Sequence, residues 1–183
     1  MPALAVYQQL DFPAALKWQA IAFMRMEWPF IFTGDFKFIT EPYPPELHPV
    51  HFVAAEDDSL ISYASIIRLD LDHAGTNYGT YGLGNLFTFP PYRRQGHGRQ
   101  VLELATDFIK SSDVDVAILF CDAQLEPFYA TCGWEVTHSL TRIGLPNDYK
   151  AFEASRMMLF TSEKGRQGKT DFEEQPLYIE WHW

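Results

Sequence analysis

The sequence predicts an α/β (α+β) protein, one domain in which strands and helices alternate. Three observations carry this. The chain has 183 residues and 47% apolar residues, enough for one domain with a substantial core. An apolar run at residues 116–121, Val-Ala-Ile-Leu-Phe-Cys, reads as a strand buried on both faces and therefore parallel. Between a β-prone run at residues 83–89 and a helical pattern of Val101, Leu102, Ala105, Phe108 and Ile109 lies a glycine-rich bend.

The remaining elements follow in order. Residues 13–26 repeat apolar side chains at helical period and predict a first helix, and the aromatic, proline-rich residues 28–43 predict a long loop. Strands are expected at residues 51–55 and 60–71, around a turn at Asp57-Asp58, with a second turn over residues 72–77. Residues 78–89 continue as a strand interrupted by Gly79, Gly82 and Gly84, which mark bulges or the close approach of a ligand. A brief helix begins at Glu126 and ends at Gly133-Trp134, and residues 133–140 and 155–160 supply the last strands. The polar stretch 163–175 is the one segment whose composition suits disorder.

Charge and composition exclude several classes. A formal charge of −10 argues against a nucleic-acid partner, which needs a basic face. It suits a cationic substrate drawn to an acidic cleft, and equally an acidic surface that serves solubility. No run approaches about 18 apolar residues, so no membrane partner is expected. The first ten residues lack a basic, then apolar, secretory pattern, so a cytoplasmic location is expected. Cys121 and Cys132 are too few for a disulfide framework or a zinc site and read as buried thiols in a reducing compartment. No internal repeat is present.

The bend runs Arg93-Arg94-Gln95-Gly96-His97-Gly98-Arg99. A strand feeding a helix through glycines leaves several N–H groups pointing at one spot, where the helix dipole also favours an anion. Gly96 and Gly98 carry no Cβ to hold a phosphate away, and the arginines add positive charge in an acidic chain. This chemistry suits a pyrophosphate. The segment is neither Gly-x-x-x-x-Gly-Lys-Ser/Thr nor the three-glycine dinucleotide fingerprint.

Its form, Arg-x-x-Gly-x-Gly, resembles the acyl-CoA loop of the GNAT superfamily of N-acetyltransferases. A second motif strengthens the resemblance. After the apolar run comes Phe128-Tyr129, three residues, then Gly133-Trp134, as in the short helix of that superfamily whose tyrosine lies beside the thioester sulfur. The resemblance implies a mixed central sheet splayed between its fourth and fifth strands, with helices on both faces. The whole of residues 1–183 is then one domain, with residues 163–183 as a C-terminal segment packed on it. Acetyl-CoA is the implied co-substrate, bound by Leu86, Phe87 and Thr88, by residues 93–99 (Arg93, Arg94, Gln95, Gly96, His97, Gly98 and Arg99), and by Asp122. Backbone N–H groups near Leu86 and Phe87 would polarise the thioester carbonyl, and Tyr129 would protonate the departing thiolate.

The chain departs from many members in one respect. They carry a glutamate on the fourth strand as general base, whereas no Asp or Glu occurs between Asn77 and Gln100, and Gly84 or Asn85 occupies that neighbourhood. Asp70, Asp72, His73, Glu27 and the C-terminal tail are candidate substitutes. The ending Glu180-Trp181-His182-Trp183 is similar to that of the aminoglycoside 2′-N-acetyltransferases. That likeness implies that Glu180 and the Trp183 carboxylate bind substrate ammonium groups; a terminal strand packed for stability is the alternative. The function expected is acetyl transfer from acetyl-CoA to a primary amine, such as a cationic, aminoglycoside-like compound. A non-catalytic acyl-CoA-binding sensor or interaction module is the alternative. The expected partners are acetyl-CoA and an amine acceptor, with no metal and with a homodimer left open.

Overall fold

A computed structural model describes residues 2–180 and residue 183, and their contacts divide into two compact units. The first unit comprises residues 1–67 and 85–105; the second comprises residues 68–84 and 106–183.

In the first unit, strand β1 (Ala3–Gln8) pairs antiparallel with β2 (Val50–Glu56), from Ala3 opposite Ala55 to Gln8 opposite Val50. β2 pairs antiparallel with the first part of β3 (Ser59–His73), with a register shift between Ala54 and Ala55. Helix α1 (Ala14–Glu27) begins where Lys17 N–H bonds the Pro13 carbonyl, at 2.9 Å. It buries Leu16, Ala20, Ile21, Phe23 and Met24, whose spacing places them on one stripe. That stripe forms a core with Phe12, Phe32, Val53, Tyr63 and Phe87. Residues 28–47 contain only short 3-10 turns, so the expected loop is present. The end of β4 (Thr76–Thr88) and the start of α2 (His97–Lys110) complete this unit.

In the second unit, β4 runs parallel to β5 (Val116–Cys121) from Thr80 opposite Val116 to Leu83 opposite Leu119. β5 pairs antiparallel with β9 (Ser155–Phe160), and β9 with β6 (Glu135–Thr137). The sheet is therefore mixed, and β5 is buried along its length apart from Phe120, as its apolar run predicts. A smaller sheet joins β7 (Thr141–Leu145), the antiparallel β8 (Asp148–Phe152) and the parallel β10 (Leu177–Ile179). Val116 and Ile118 pack with Leu71, Tyr78, Met158, Phe172, Leu177 and Ile179. The short helix α3 (Glu126–Ala130) follows β5 as expected.

The structure corrects four local expectations. Residues 163–175 are ordered as helices α4 (Glu163–Gln167) and α5 (Lys169–Glu174), because one apolar residue, Phe172, is fully buried and anchors the segment. The second turn shrinks to Ala74 and Gly75, both left-handed, because β3 extends to His73 and β4 starts at Thr76. Of residues 133–140, only 135–137 form a strand. The helix expected to run from Glu126 to Gly133-Trp134 stops at Ala130. β10 is the terminal strand given above as the alternative for the tail.

Candidate functional site

The bend is built in the first unit by a break in handedness. Arg94 (φ 64°) and Gly96 (φ 88°) are left-handed, turning the chain sharply before α2 starts. Gln100 N–H bonds back to the Gly96 carbonyl at 3.0 Å. The amides of His97 and Gly98 therefore stand in the first turn of the helix, where the backbone ladder has not yet begun. Space above Gly96 is open, with no heavy atom within 4 Å of where a Cβ would stand. A Cβ on Gly98 would fall 2.9 Å from Thr88 Oγ1, so the missing side chain lets the helix start pack on the end of β4. An open, dipole-headed amide cluster of this kind fits a pyrophosphate.

The side chains of the bend reach outward. Arg94, Gln95 and Arg99 are exposed, and His97 is half-buried at the helix start. Arg99 pairs with Glu103 at 2.8 Å. Arg93 Nη2 pairs with Glu27 Oε1 at 2.6 Å, and its Nε donates to the Thr88 carbonyl at 2.9 Å. Glu27, one of the substitutes considered for the base, is thus engaged by the loop arginine. Leu86 and Thr88 are half-buried, whereas Phe87 is buried and stacks on Phe23 with centroids 4.5 Å apart.

The irregularity of β4 lies at Asn85, not at the glycines. Asn85 has φ 55°, whereas Gly79 and Gly82 lie outside the left-handed region. A left-handed residue inside a strand turns neighbouring backbone groups out of the ladder. Behind it runs a buried polar chain that no sequence motif announces. Asn85 Nδ2 donates to Ser65 Oγ at 3.4 Å, and the Tyr43 hydroxyl bonds both Ser65 and Asn85. Ser65 bonds Tyr63, whose hydroxyl lies 2.8 Å from His51 Nδ1. His51 Nε2 meets Gln9 Oε1 at 2.7 Å, and Gln9 Nε2 donates to Glu41 Oε2 at 2.5 Å. Lys17 pairs with the same carboxylate. Burial, reinforced by Lys17, lowers the His51 pKa to about 4, so its imidazole is neutral at neutral pH.

In the second unit, Tyr129 is buried at the end of α3, its ring 5.1 Å from that of Phe128. Burial, with a smaller push from Cys121, raises its pKa well above the usual phenol range. Its hydroxyl therefore keeps its proton, and burial favours donating a hydrogen bond over losing that proton outright. Asp122 is exposed just before the 3-10 turn at residues 123–125, whose last N–H bonds the Asp122 carbonyl at 2.8 Å. Cys121 and Cys132 are buried free thiols, and burial pushes the Cys121 pKa up to about 11.

The C-terminal segment also lies in the second unit. Leu177 and Ile179 anchor it in the core. The Trp183 indole covers Gly82, where a Cβ would fall 2.3 Å from its Cε2, and packs 5.4 Å from the Phe120 ring. Gly82 therefore serves the close approach of this indole. Trp181 and His182 lie outside the described residues. Glu180 and Trp183 border a cavity of about 530 Å3, together with Leu69, Leu71, His73, Thr80 and Tyr178. His73 is 4% exposed and stacked on Phe172, and its Nε2 has no hydrogen-bond partner among the described residues. Burial is the main cause that lowers its pKa. Asp70 and Asp72 also border the cavity, but strand alternation turns their side chains away from Leu71 and His73. Asp72 Oδ1 accepts from Asn77 Nδ2 at 2.9 Å, and both aspartates are exposed. Among the described residues there is no cluster suited to a metal ion, and no helix is long and apolar enough to cross a membrane.

Residues 17–134 match the model of the acetyltransferase (GNAT) family. No curated protein matches the chain. Among solved structures, Escherichia coli ElaA is 15% identical with a TM-score of 0.59, covering 86% of this chain and 99% of that one. The E. coli GNAT family N-acetyltransferase YhbS, in complex with CoA, is 16% identical with a TM-score of 0.56, covering 100% and 91%. The E. coli ribosomal-protein-S18-alanine N-acetyltransferase is 20% identical with a TM-score of 0.52, covering 88% and 95%. With the family match spanning most of the chain and the acyl-CoA loop motif within it, the protein belongs to the GNAT acetyltransferase family, whose co-substrate is acetyl-CoA.

Proposed function

We propose that this protein transfers the acetyl group of acetyl-CoA to a primary amine on a small cationic molecule of aminoglycoside-like chemistry. The observation that carries the transfer is the open helix head at residues 96–98, in a chain whose family uses acetyl-CoA. The cationic acceptor is supported by Glu180 and Trp183 at the edge of one cavity, where a carboxylate and an indole face suit an ammonium group. The attacking nitrogen is the neutral amine, and its attack forms the new C–N bond while the C–S bond breaks. Backbone N–H groups near Leu86 and Phe87 stabilise the carbonyl oxygen, and Tyr129 donates to the sulfur as it leaves.

Thiol release from acetyl-CoA with spermidine, kanamycin and a peptide with a free N-terminus tests the reading. Turnover with the polycations above the peptide is expected. Replacing Tyr129 by Phe removes only the hydroxyl and should lower kcat roughly 10- to 100-fold while acetyl-CoA affinity stays within about twofold. Full turnover in Tyr129→Phe would leave that side chain a packing residue. A second reading, acyl-CoA binding without turnover, is favoured by one observation: no Asp or Glu lies between Asn77 and Gln100. Tight acetyl-CoA binding with no thiol release for any amine would establish it.

A further inference from the structure

The cavity of about 530 Å3 in the second unit is sorted by polarity. Leu69, Leu71, Ile179 and Trp183 give it apolar walls, and its volume is that of a small-molecule site. No Lys or Arg borders it among the described residues, whereas Asp70, Asp72 and Glu180 do. All three carboxylates are exposed, so negative charge stands at the rim. Of the polar residues that border the cavity, His73 and Thr80 are the two that are buried.

Both of these buried groups offer acceptors. Thr80 Oγ1 donates its single hydrogen to the Tyr78 carbonyl at 3.1 Å, which leaves that oxygen able only to accept. Strand alternation puts His73 on the face of Leu69 and Leu71, so its ring stands on the cavity side of β3. It is 4% exposed, and Nε2 has no hydrogen-bond partner among the described residues. Burial lowers its pKa, so the imidazole is neutral at neutral pH and one nitrogen keeps a bare lone pair. A buried polar atom without a partner is rare in native proteins, because nothing replaces its lost hydration. Beside an open volume, such an atom calls for a ligand that brings the missing hydrogen.

The rim and the interior suit different groups of that ligand. An ammonium is costly to bury against a neutral imidazole and stays where the carboxylates are. A hydroxyl costs far less to bury, and its hydrogen matches a lone pair. We propose that the acceptor is a hydroxylated amine, which seats one hydroxyl on His73 Nε2 inside the cavity and leaves an ammonium group at the rim beside Glu180. This substrate class rests on the acetyltransferase reading above. His73 then determines specificity: a hydroxylated polycation replaces the hydration of Nε2, and a bare polyamine leaves that atom unpaired.

Kanamycin carries hydroxyls as well as amines and spermidine carries amines alone, so the pair separates the two roles. His73→Phe keeps an aromatic ring to stack on Phe172 and removes the nitrogens. It should raise the KM for kanamycin about tenfold and leave that for spermidine within about twofold. Melting temperature should hold, because Nε2 has no bond to lose. An unchanged ratio of the two KM values overturns the proposal. An equal rise in both, with a lower melting temperature, makes His73 a packing residue and overturns it too. A second measurement needs no variant. In the unaltered protein, labelled with 15N at histidine, kanamycin should move the His73 Nε2 resonance and spermidine should not. A cavity that holds water alone gives no shift with either and overturns the proposal. Thiol release with kanamycin and no shift at His73 overturns this assignment alone, whereas no thiol release with any amine overturns the acetyltransferase reading and, with it, the acceptor.

Discussion

The glycine-rich bend at residues 93–99 and the C-terminal segment at residues 177–183 use glycine for opposite ends. At the bend, Gly96 leaves open space above a helix head, and the groups on offer are backbone amides that any sequence would have there. At the tail, Gly82 is a gap already filled, because the Trp183 indole lies where a side chain would stand. The bend's chemistry comes from local backbone geometry, with side chains such as Arg94 and Arg99 exposed around it. The tail's position comes from burial of Leu177, Ile179 and Trp183 against strands distant in sequence. The difference teaches that the bend offers backbone groups placed by local geometry, whereas the tail offers side chains placed by packing against distant strands.

The largest expected effect tests the backbone half of that contrast. Gly98→Asp sets a carboxylate against the pyrophosphate and a Cβ against Thr88, and should weaken acetyl-CoA binding on the order of 1,000-fold, roughly 4 kcal/mol. Calorimetric titration with CoA measures it, and unchanged affinity would remove the bend from the binding site. Next comes acidification. His51, lowered to about 4 in the folded protein against 6.5 unfolded, binds its proton more readily in the unfolded chain. Stability should therefore be complete above pH 6.5 and fall as the pH drops towards 4, by roughly 3 kcal/mol from this residue. His73 is shifted in the same direction. Urea titrations across that range should show a shallower slope in His51→Gln; an identical slope would mean that His51 titrates normally.

Smaller effects test the tail. Trp183→Ala should cost about 2 kcal/mol of stability, because the indole packs on Gly82 and Phe120 and leaves a gap. Its acetyl-CoA affinity should hold. A melting temperature unchanged by the substitution would contradict a packed tail. Glu180→Gln, on an exposed residue at the cavity rim, should raise the acceptor KM about threefold and leave kcat alone. No change in KM with a polycation would leave the tail purely structural and withdraw the aminoglycoside-like acceptor.

Short-range patterns made much of this protein legible. The helix of α1, the buried β5 and the strand β9 follow from periodicity and apolar runs, since one residue's neighbours along the chain decide which face it shows. The bend and the short helix carrying Tyr129 were legible because glycine and fixed motif spacing encode them locally. Residues 163–175 were misread for the reverse reason: their polar composition hides one buried anchor, Phe172, that is visible only once the sheet beneath it exists.

The sequence by itself determined the family, the open helix head at residues 96–98 and the absence of a carboxylate from β4. Only the tertiary structure decided where β4 breaks its regularity, because three glycines permit a left-handed turn but the chain makes it at Asn85. It also decided that Glu27 is held by Arg93, and that Asp70 and Asp72 are exposed on the strand face opposite buried Leu71 and His73. The chain joining Asn85 to Glu41 draws on residues as far apart as Gln9 and Asn85. Its buried members, His51, Tyr63 and Ser65, need partners from elsewhere in the chain to offset the cost of burial, so no stretch of sequence read alone carries the pattern.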